Sequence, residues 1–347
     1  MQSSLATSHV AQLTRGAKHD GSTTTCRSVK PVLARRAKSS VLQCACVRTA
    51  PRYILAERSN RPAERAGRLC SMRRPVAMPS VADEFEGYEG MGVSIEEVED
   101  ADVIVEVNST EEEVAEGLCE RVVDTAKECI AEKGAFSLAV PGGSVAKALK
   151  GLAAAEGVEW DKVHLFFVNE RCPERKNYNL ALDTFVNAVG IPLSQVYTVG
   201  DGTPAEEATL YEEQVTSLPE SVLAVSDAGA PIFDLILLGM GADGHVGSIY
   251  PGSPEAMEMN GLILGVEKPD KKSITFSLPL LNAAKTVVIA ATGAKKAERV
   301  RAALEDELAP GELPGAAVEP YDGKVVWLLD EGSASALEAY GEEMETD

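Results

Sequence analysis

Histidine is sparse in this chain. There are four among 347 residues, His9, His19, His164 and His245, so few positions can do acid–base work near neutral pH. Cysteine is equally unhelpful. Four of the seven, Cys26, Cys44, Cys46 and Cys70, lie in the first 80 residues, and the rest of the chain keeps Cys119, Cys129 and Cys172 with no CxxC. An odd, scattered set argues against a disulfide framework or a zinc site. No run approaches the roughly 20 apolar residues of a membrane-spanning helix. No apolar stretch follows Met1 as a secretory signal requires. GxSxG, P-loop and HExxH motifs are absent, which removes the serine-hydrolase elbow, the Walker nucleotide site and the zinc-protease helix.

Positive charge is lacking too, but only in one part. Residues 1–80 hold 15 Lys/Arg against Asp20, Glu57 and Glu64, a net +12, whereas the remainder carries −33 of the total −21. An Arg- and Ser-rich, acid-poor leader is the composition of an organelle transit peptide. Plastid is the expected destination and mitochondrion the second choice; a basic tail that touches RNA or membrane is the bland alternative. The expected layout is a transit peptide at 1–80, an acidic lead-in at 81–100, one domain at 101–335 and an acidic tail at 336–347. A body at −33 repels phosphate backbones and anionic lipid, so neither nucleic acid nor membrane is an expected partner. A monomer is expected.

The body alternates short apolar runs with amphipathic stretches. Asp102 to Val107, Phe136 to Val140, Val163 to Val168, Phe233 to Leu238, Thr286 to Ala291 and Lys324 to Leu329 read as strands by length and by flanking Gly or Pro. A helix with Ser109 or Thr110 as N-cap and Val114, Leu118, Val122 and Ile130 at helical spacing follows the first. Another runs from Val145 to Leu152, and a third carries Lys295, Lys296 and Val300. The fold class is α/β: a single Rossmann-like domain with a mostly parallel sheet flanked by helices on both faces. Such sheets bind ligands beyond the carboxyl ends of their strands.

Those ends hold the informative residues. Pro141-Gly142-Gly143-Ser144 follows a strand and opens a helix, either an anion-binding turn or a plain βα turn. Asn169-Glu170-Arg171-Cys172 follows VHLFFV; Arg171 could hold a phosphate as a planar fork, or belong to a surface pair. Gly239-Met240-Gly241-Ala242-Asp243-Gly244-His245 sets one carboxylate and one imidazole beyond the sheet, and His245 is the body's only loop histidine, His164 lying inside a strand. This segment also fits G-x-G-x-x-G, but Pro251-Gly252-Ser253-Pro254 interrupts within ten residues, too soon for a dinucleotide-binding crossover helix. Lys295 and Lys296 follow TVVIAA, and the residues alone do not choose between a phosphate role and plain surface lysine.

In this order the segments resemble the 6-phosphogluconolactonase family, itself similar to glucosamine-6-phosphate deaminases, from about Ser109 to Asp330. Phe233 to Pro254 is similar to the family's GMGxDGH segment, PGGS to its SGGS loop, NERC to its DER motif, Ser273 to Ala297 to its ITLTLPVINxA…VTGxxKA segment, and DGKVVWLLD to the closing strand of plant-type members. Asn169 stands where the family usually has Asp, and Ser273 where an Arg is usual, with Lys271 or Lys272 as substitutes for that charge. The deaminases' proton-transfer Asp would fall at Asn169 and their loop Glu at Tyr250. The resemblance implies hydrolysis of 6-phosphoglucono-δ-lactone without metal or redox cofactor. It implies His245 and Asp243 as catalytic residues, and Gly142, Gly143, Ser144, Glu170, Arg171 and Lys296 around the sugar phosphate. A non-catalytic sugar-phosphate sensor on the same fold is the alternative of another class.

Overall fold

The computed structural model describes residues 102–338; the expected transit peptide, the acidic lead-in and most of the acidic tail lie outside the described residues. Eleven strands form three sheets: β1 (Asp102–Asn108), β2 (Phe136–Val140), β3 (Val163–Phe167), β4 (Asn169–Arg171), β5 (Ala224–Val225), β6 (Pro231–Ile232), β7 (Leu235–Gly239), β8 (Ile263–Lys268), β9 (Lys271–Phe276), β10 (Thr286–Ala291) and β11 (Lys324–Asp330). The central sheet has the order β1-β11-β10-β7-β2-β3 and every pair in it is parallel. These are the six runs expected from the sequence, with ends that differ by one residue in β1, β3, β7 and β11 and with β7 beginning at Leu235 rather than Phe233. Two small antiparallel sheets, β4-β9-β8 and β5-β6, were not expected.

Side-chain alternation buries the central sheet on both faces. Phe136, Leu138 and Val140 meet Val114, Leu118 and Val122 of the helix Glu111–Lys133 on one side. Ala139, Ile236 and Leu238 meet Tyr211 and Val215 of the helix Pro204–Thr216 on the other. The long helix is capped at both ends. Thr110 Oγ1 accepts from Glu113 N at 3.1 Å, and Gly134 closes it at φ 79°, a left-handed conformation that costs glycine little. The expected helix from Val145 splits into an α segment, Gly143–Ala148, and a 3-10 segment, Leu149–Ala154.

Winding starts outward and then reverses. From β2 the chain moves to β3, returns past β2 to β7, and then proceeds through β10 and β11 the other way. The neighbours β2 and β7 therefore flank the topological switch point, where open α/β sheets bind ligands.

A buried carboxylate fastens the opposite end of that pair. Asp234, 1 % exposed and just before β7, accepts from Ser137 N at 2.9 Å and Ser137 Oγ at 2.8 Å, while its own N–H donates to Ser137 Oγ at 3.0 Å. Lys133 Nζ approaches Oδ2 at 2.8 Å and Lys285 Nζ approaches Oδ1 at 3.1 Å. Burial pushes this carboxyl up, but the hydrogen bonds and charge of Lys133, with those from Ser137, outweigh it and leave it below its ordinary value. Removing one partner of such a group strands the others. Asp234→Ala is expected to destabilise the domain by about 3–5 kcal/mol in urea unfolding. Because the folded value is depressed, the group's pH-linked stability is present above about pH 4 and is lost as pH falls through the folded value. That acid-side fall should shrink in Asp234→Asn; an unchanged urea midpoint in both variants would remove the fastening role.

Candidate active site

Four loops leave the carboxyl ends of β10, β7, β2 and β3, which are consecutive in the sheet. At about 4.8 Å per strand spacing they share an edge about 14 Å wide. The β7 loop holds Asp243 and His245. His245 Nδ1 lies 2.5 Å from Asp243 Oδ1, which also accepts from His245 N at 3.2 Å. A carboxylate only accepts, so the neutral ring carries its proton on Nδ1 and its lone pair on Nε2. Partial burial of Asp243 opposes ionisation, yet the ring and backbone hydrogen bonds from His245 outweigh it and hold the carboxyl below its ordinary range. Gly241 makes the turn possible: its N–H donates to His245 O at 2.9 Å, and a Cβ there would overlap the imidazole Nδ1. No helix follows Gly244 until the four-residue 3-10 turn Pro254–Met257, so the dinucleotide fingerprint lacks its helix.

The β2 and β3 loops are locked together. Asn177 covers Gly142 so closely that a Cβ at 142 would overlap its amide, and Asn177 Nδ2 donates to Asn169 O at 2.5 Å. Asn169 Nδ2 in turn donates to Ser248 Oγ at 3.2 Å, a residue just past His245. Hydrogen bonds thus tie Asn177 and Asn169 to the loop after β7, and Gly142 packs against Asn177. Gly143 takes φ 72° and no side chain caps the helix it opens, so its first N–H groups have no intrahelical acceptor. Ser144 beside it is exposed.

Strand alternation separates Arg171 from Glu170. Glu170 is 1 % exposed; Oε1 accepts from Arg171 N at 2.6 Å and Asn177 N at 2.9 Å, and Oε2 from Tyr178 N at 2.6 Å. Burial raises its pKa, partly offset by those three N–H groups. Glu170, expected around the sugar phosphate, ties the start of the helix Lys176–Ala181 to β4 through these bonds. Arg171 points the other way, as Asn169 does, and its guanidinium makes no hydrogen bond or ion pair with the described residues.

Lys296, unlike the exposed Lys295, is half-buried after β10, and it has no ion pair within 4 Å among the described residues. Burial lowers its pKa, against the raising pull of Asp330 and Glu111. A cavity of about 750 Å³ lies between the helix Glu111–Lys133 and residues 144–156. It reaches Ser144 and Thr292 but is not lined by His245, Arg171 or Lys296. His164 plays no part in the cluster; its Nδ1 is 2.9 Å from Tyr197 Oη, and burial lowers its pKa. Among the described residues no group of three or more His, Cys, Asp or Glu side chains could hold a metal ion, and no helix is long and apolar enough to cross a membrane.

Residues 109–327 match the family described as glucosamine-6-phosphate isomerases/6-phosphogluconolactonase. The chain belongs to that family. It is 39 % identical over 241 residues to "Probable 6-phosphogluconolactonase 3, chloroplastic" of Oryza sativa, covering 65 % of this chain and 74 % of the relative. It is 35 % identical over 246 residues to "6-phosphogluconolactonase 3, chloroplastic" of Arabidopsis thaliana, covering 67 % and 75 %. The structure of 6-phosphogluconolactonase from Trypanosoma brucei matches with a TM-score of 0.56 at 26 % identity, over 67 % of this chain and 98 % of that one. A monomeric glucosamine-6-phosphate deaminase matches with a TM-score of 0.53 at 22 % identity over 67 % and 99 %, so the family's fold carries two chemistries and the site must distinguish them.

Two residues beside His245 and Gly142 were not expected as site residues: Asn177, and Tyr250, which entered only as the residue in the place of the deaminases' loop Glu. A hairpin signal was present, since two β-rich runs flank the two-residue connection Pro269-Asp270. The Gly241 geometry is directly testable. Gly241→Ala should keep the melting temperature within a few degrees but lower kcat on the lactone by about a hundredfold, because the added methyl occupies the imidazole's place. Native turnover in a folded Gly241→Ala protein would show that the observed His245 position is not the working one.

Proposed function

We propose that this chain hydrolyses 6-phosphoglucono-δ-lactone to 6-phosphogluconate, with His245 as the general base. The observation that carries the proposal is the Asp243–His245 pair, 2.5 Å apart beside the switch point, in a chain of this family. Asp243 holds the Nδ1–H, and Nε2 takes a proton from water as its oxygen adds to the C1 carbonyl. The ring oxygen then leaves C1 and receives that proton from the imidazolium, so water is consumed and the base is regenerated. Lactones are reactive esters, and positioning plus one base suffices for a large acceleration.

The phosphate sits at Gly142, Gly143 and Ser144, with Arg171 and Lys296 as counter-charges. Both cations lack an ion-pair partner, and both leave the same edge of the sheet as the uncapped glycine turn. Isomerisation and deamination are disfavoured by Asn169, which is a neutral amide spent on Ser248, and by Tyr250, which offers no carboxylate. The plastid is the proposed compartment, supported by the basic leader and by relatives named chloroplastic.

His245→Asn should cut kcat by about a hundredfold to ten-thousandfold while affinity for 6-phosphogluconate stays within a few-fold, measured by coupling to 6-phosphogluconate dehydrogenase and by calorimetry. In the same assay Lys296→Ala should raise KM for the phosphorylated lactone and leave gluconolactone nearly unchanged. Equal losses on both substrates would rule out the phosphate role, and native kcat in His245→Asn would rule out the base. An inactive wild type that still binds 6-phosphogluconate would favour a sensor. A fluorescent fusion of residues 1–80 should enter plastids; a full-length fusion held in the cytosol would end that part of the proposal.

A further inference from the structure

A single hydrogen bond leaves an imidazole free to swing about it. The Asp243 contact fixes Nδ1 of His245, and Gly241 lies directly beneath that atom, but neither limits the tilt of the ring. Tyr250 lies against the ring, its centroid 4.8 Å from that of His245, with an interplanar angle of 34°. Tyr250 is itself held by the hairpin β8–β9. Lys268 Nζ sits 3.1 Å from its ring centroid, and Lys271 Nζ lies 3.3 Å from its hydroxyl. An ammonium over an aromatic face is attracted by the ring quadrupole, and a second at the hydroxyl fixes the ring's far end. The turn between them is short, with Val246 and Ile249 exchanging backbone hydrogen bonds of 3.3 and 2.9 Å, so Tyr250 has little freedom to move relative to His245.

We infer that Tyr250 is a positioning residue for the catalytic imidazole, and that the lysines of the β8–β9 hairpin act on turnover through it. The inference rests on His245 being the base. Tyr250 does not exchange a proton with substrate; its ring supplies a flat wall that keeps Nε2 aimed at the attacking water. The wall requires an aromatic ring, and its hydroxyl matters only as an anchor for Lys271. Lys268 clamps the ring from the hairpin, so a change at position 268, on a different sheet from His245, reaches the base.

The test separates position from chemistry. Tyr250→Leu should lower kcat by about a hundredfold, with KM and 6-phosphogluconate affinity held within about threefold, whereas Tyr250→Phe should recover kcat to within a few-fold of wild type. In NMR spectra the ring protons of His245, assigned by their loss in His245→Asn, should shift in Tyr250→Leu and stay near their native positions in Tyr250→Phe. If Tyr250→Leu proves unstable, Lys268→Ala decides instead: kcat should fall several-fold at constant KM. Native kcat in Tyr250→Leu or, in that event, in Lys268→Ala, with His245→Asn inactive, would overturn the positioning role and leave the base intact. Equal impairment of the Leu and Phe variants would overturn it by assigning the effect to the hydroxyl. An active His245→Asn would remove the base and this inference with it.

Discussion

The whole arrangement hangs on one buried carboxylate. Asp234 joins β2, through Ser137, to the start of β7, and draws in Lys133 from the end of the long helix and Lys285 from just before β10. Each of these elements ends or begins there, at the amino end of the sheet. Strand register is a rigid property, since a slip of one residue would reverse every buried side chain. Fixing β2 against β7 at their amino ends therefore fixes the relative height of their carboxyl ends, five residues away, where the glycine turn and the Asp243–His245 loop emerge. A buried ionic cluster of this kind contributes specificity more than net stability.

Close approach is the second constraint. Gly142 and Gly241 are each overlain by a side chain, Asn177 and His245 respectively, with no space for a Cβ. These glycines serve close contact rather than mere turning. Asn177, Asn169 and Ser248 are joined by hydrogen bonds, so the segments after β3 and β7 become one body. The hairpin β8–β9 joins the same body from a different sheet: β9 pairs with β4, Ser273 Oγ donates to Ser248 Oγ at 3.1 Å, and Lys268 meets Tyr250. Ser273, small and 2 % exposed, fills a position where the family usually carries an arginine. By register Ser273 lies opposite Arg171 and beside Lys272, while Lys268 and Lys271 at the end of the same hairpin both engage Tyr250.

The six parallel strands were legible because burial on both faces writes a strand as a short continuous apolar run, and Gly or Pro marks where it stops. The helix Glu111–Lys133 was legible through its cap and its spacing. The small sheet β4-β9-β8 was not, because its strands mix exposed and buried residues: Lys272 is exposed while Ser273 to Phe276 are buried, and β4 is three residues long. The burial of Glu170 was hidden for the same reason. Once Asn169, Glu170 and Arg171 are a strand, alternation forces Glu170 to face away from Arg171, and burial then requires it to find N–H partners.

By itself the sequence determined the fold class, the order of strand-end loops and the one loop histidine with a neighbouring carboxylate. These follow from local patterning and from the rule that such sheets bind at their carboxyl edge. Only the tertiary structure decided which polar residues come together. Asn177 lies 35 residues from Gly142, Ser248 lies 79 from Asn169, and Lys268 lies 18 from Tyr250. Contacts at those separations depend on strand register and loop closure, which no local run of residues encodes.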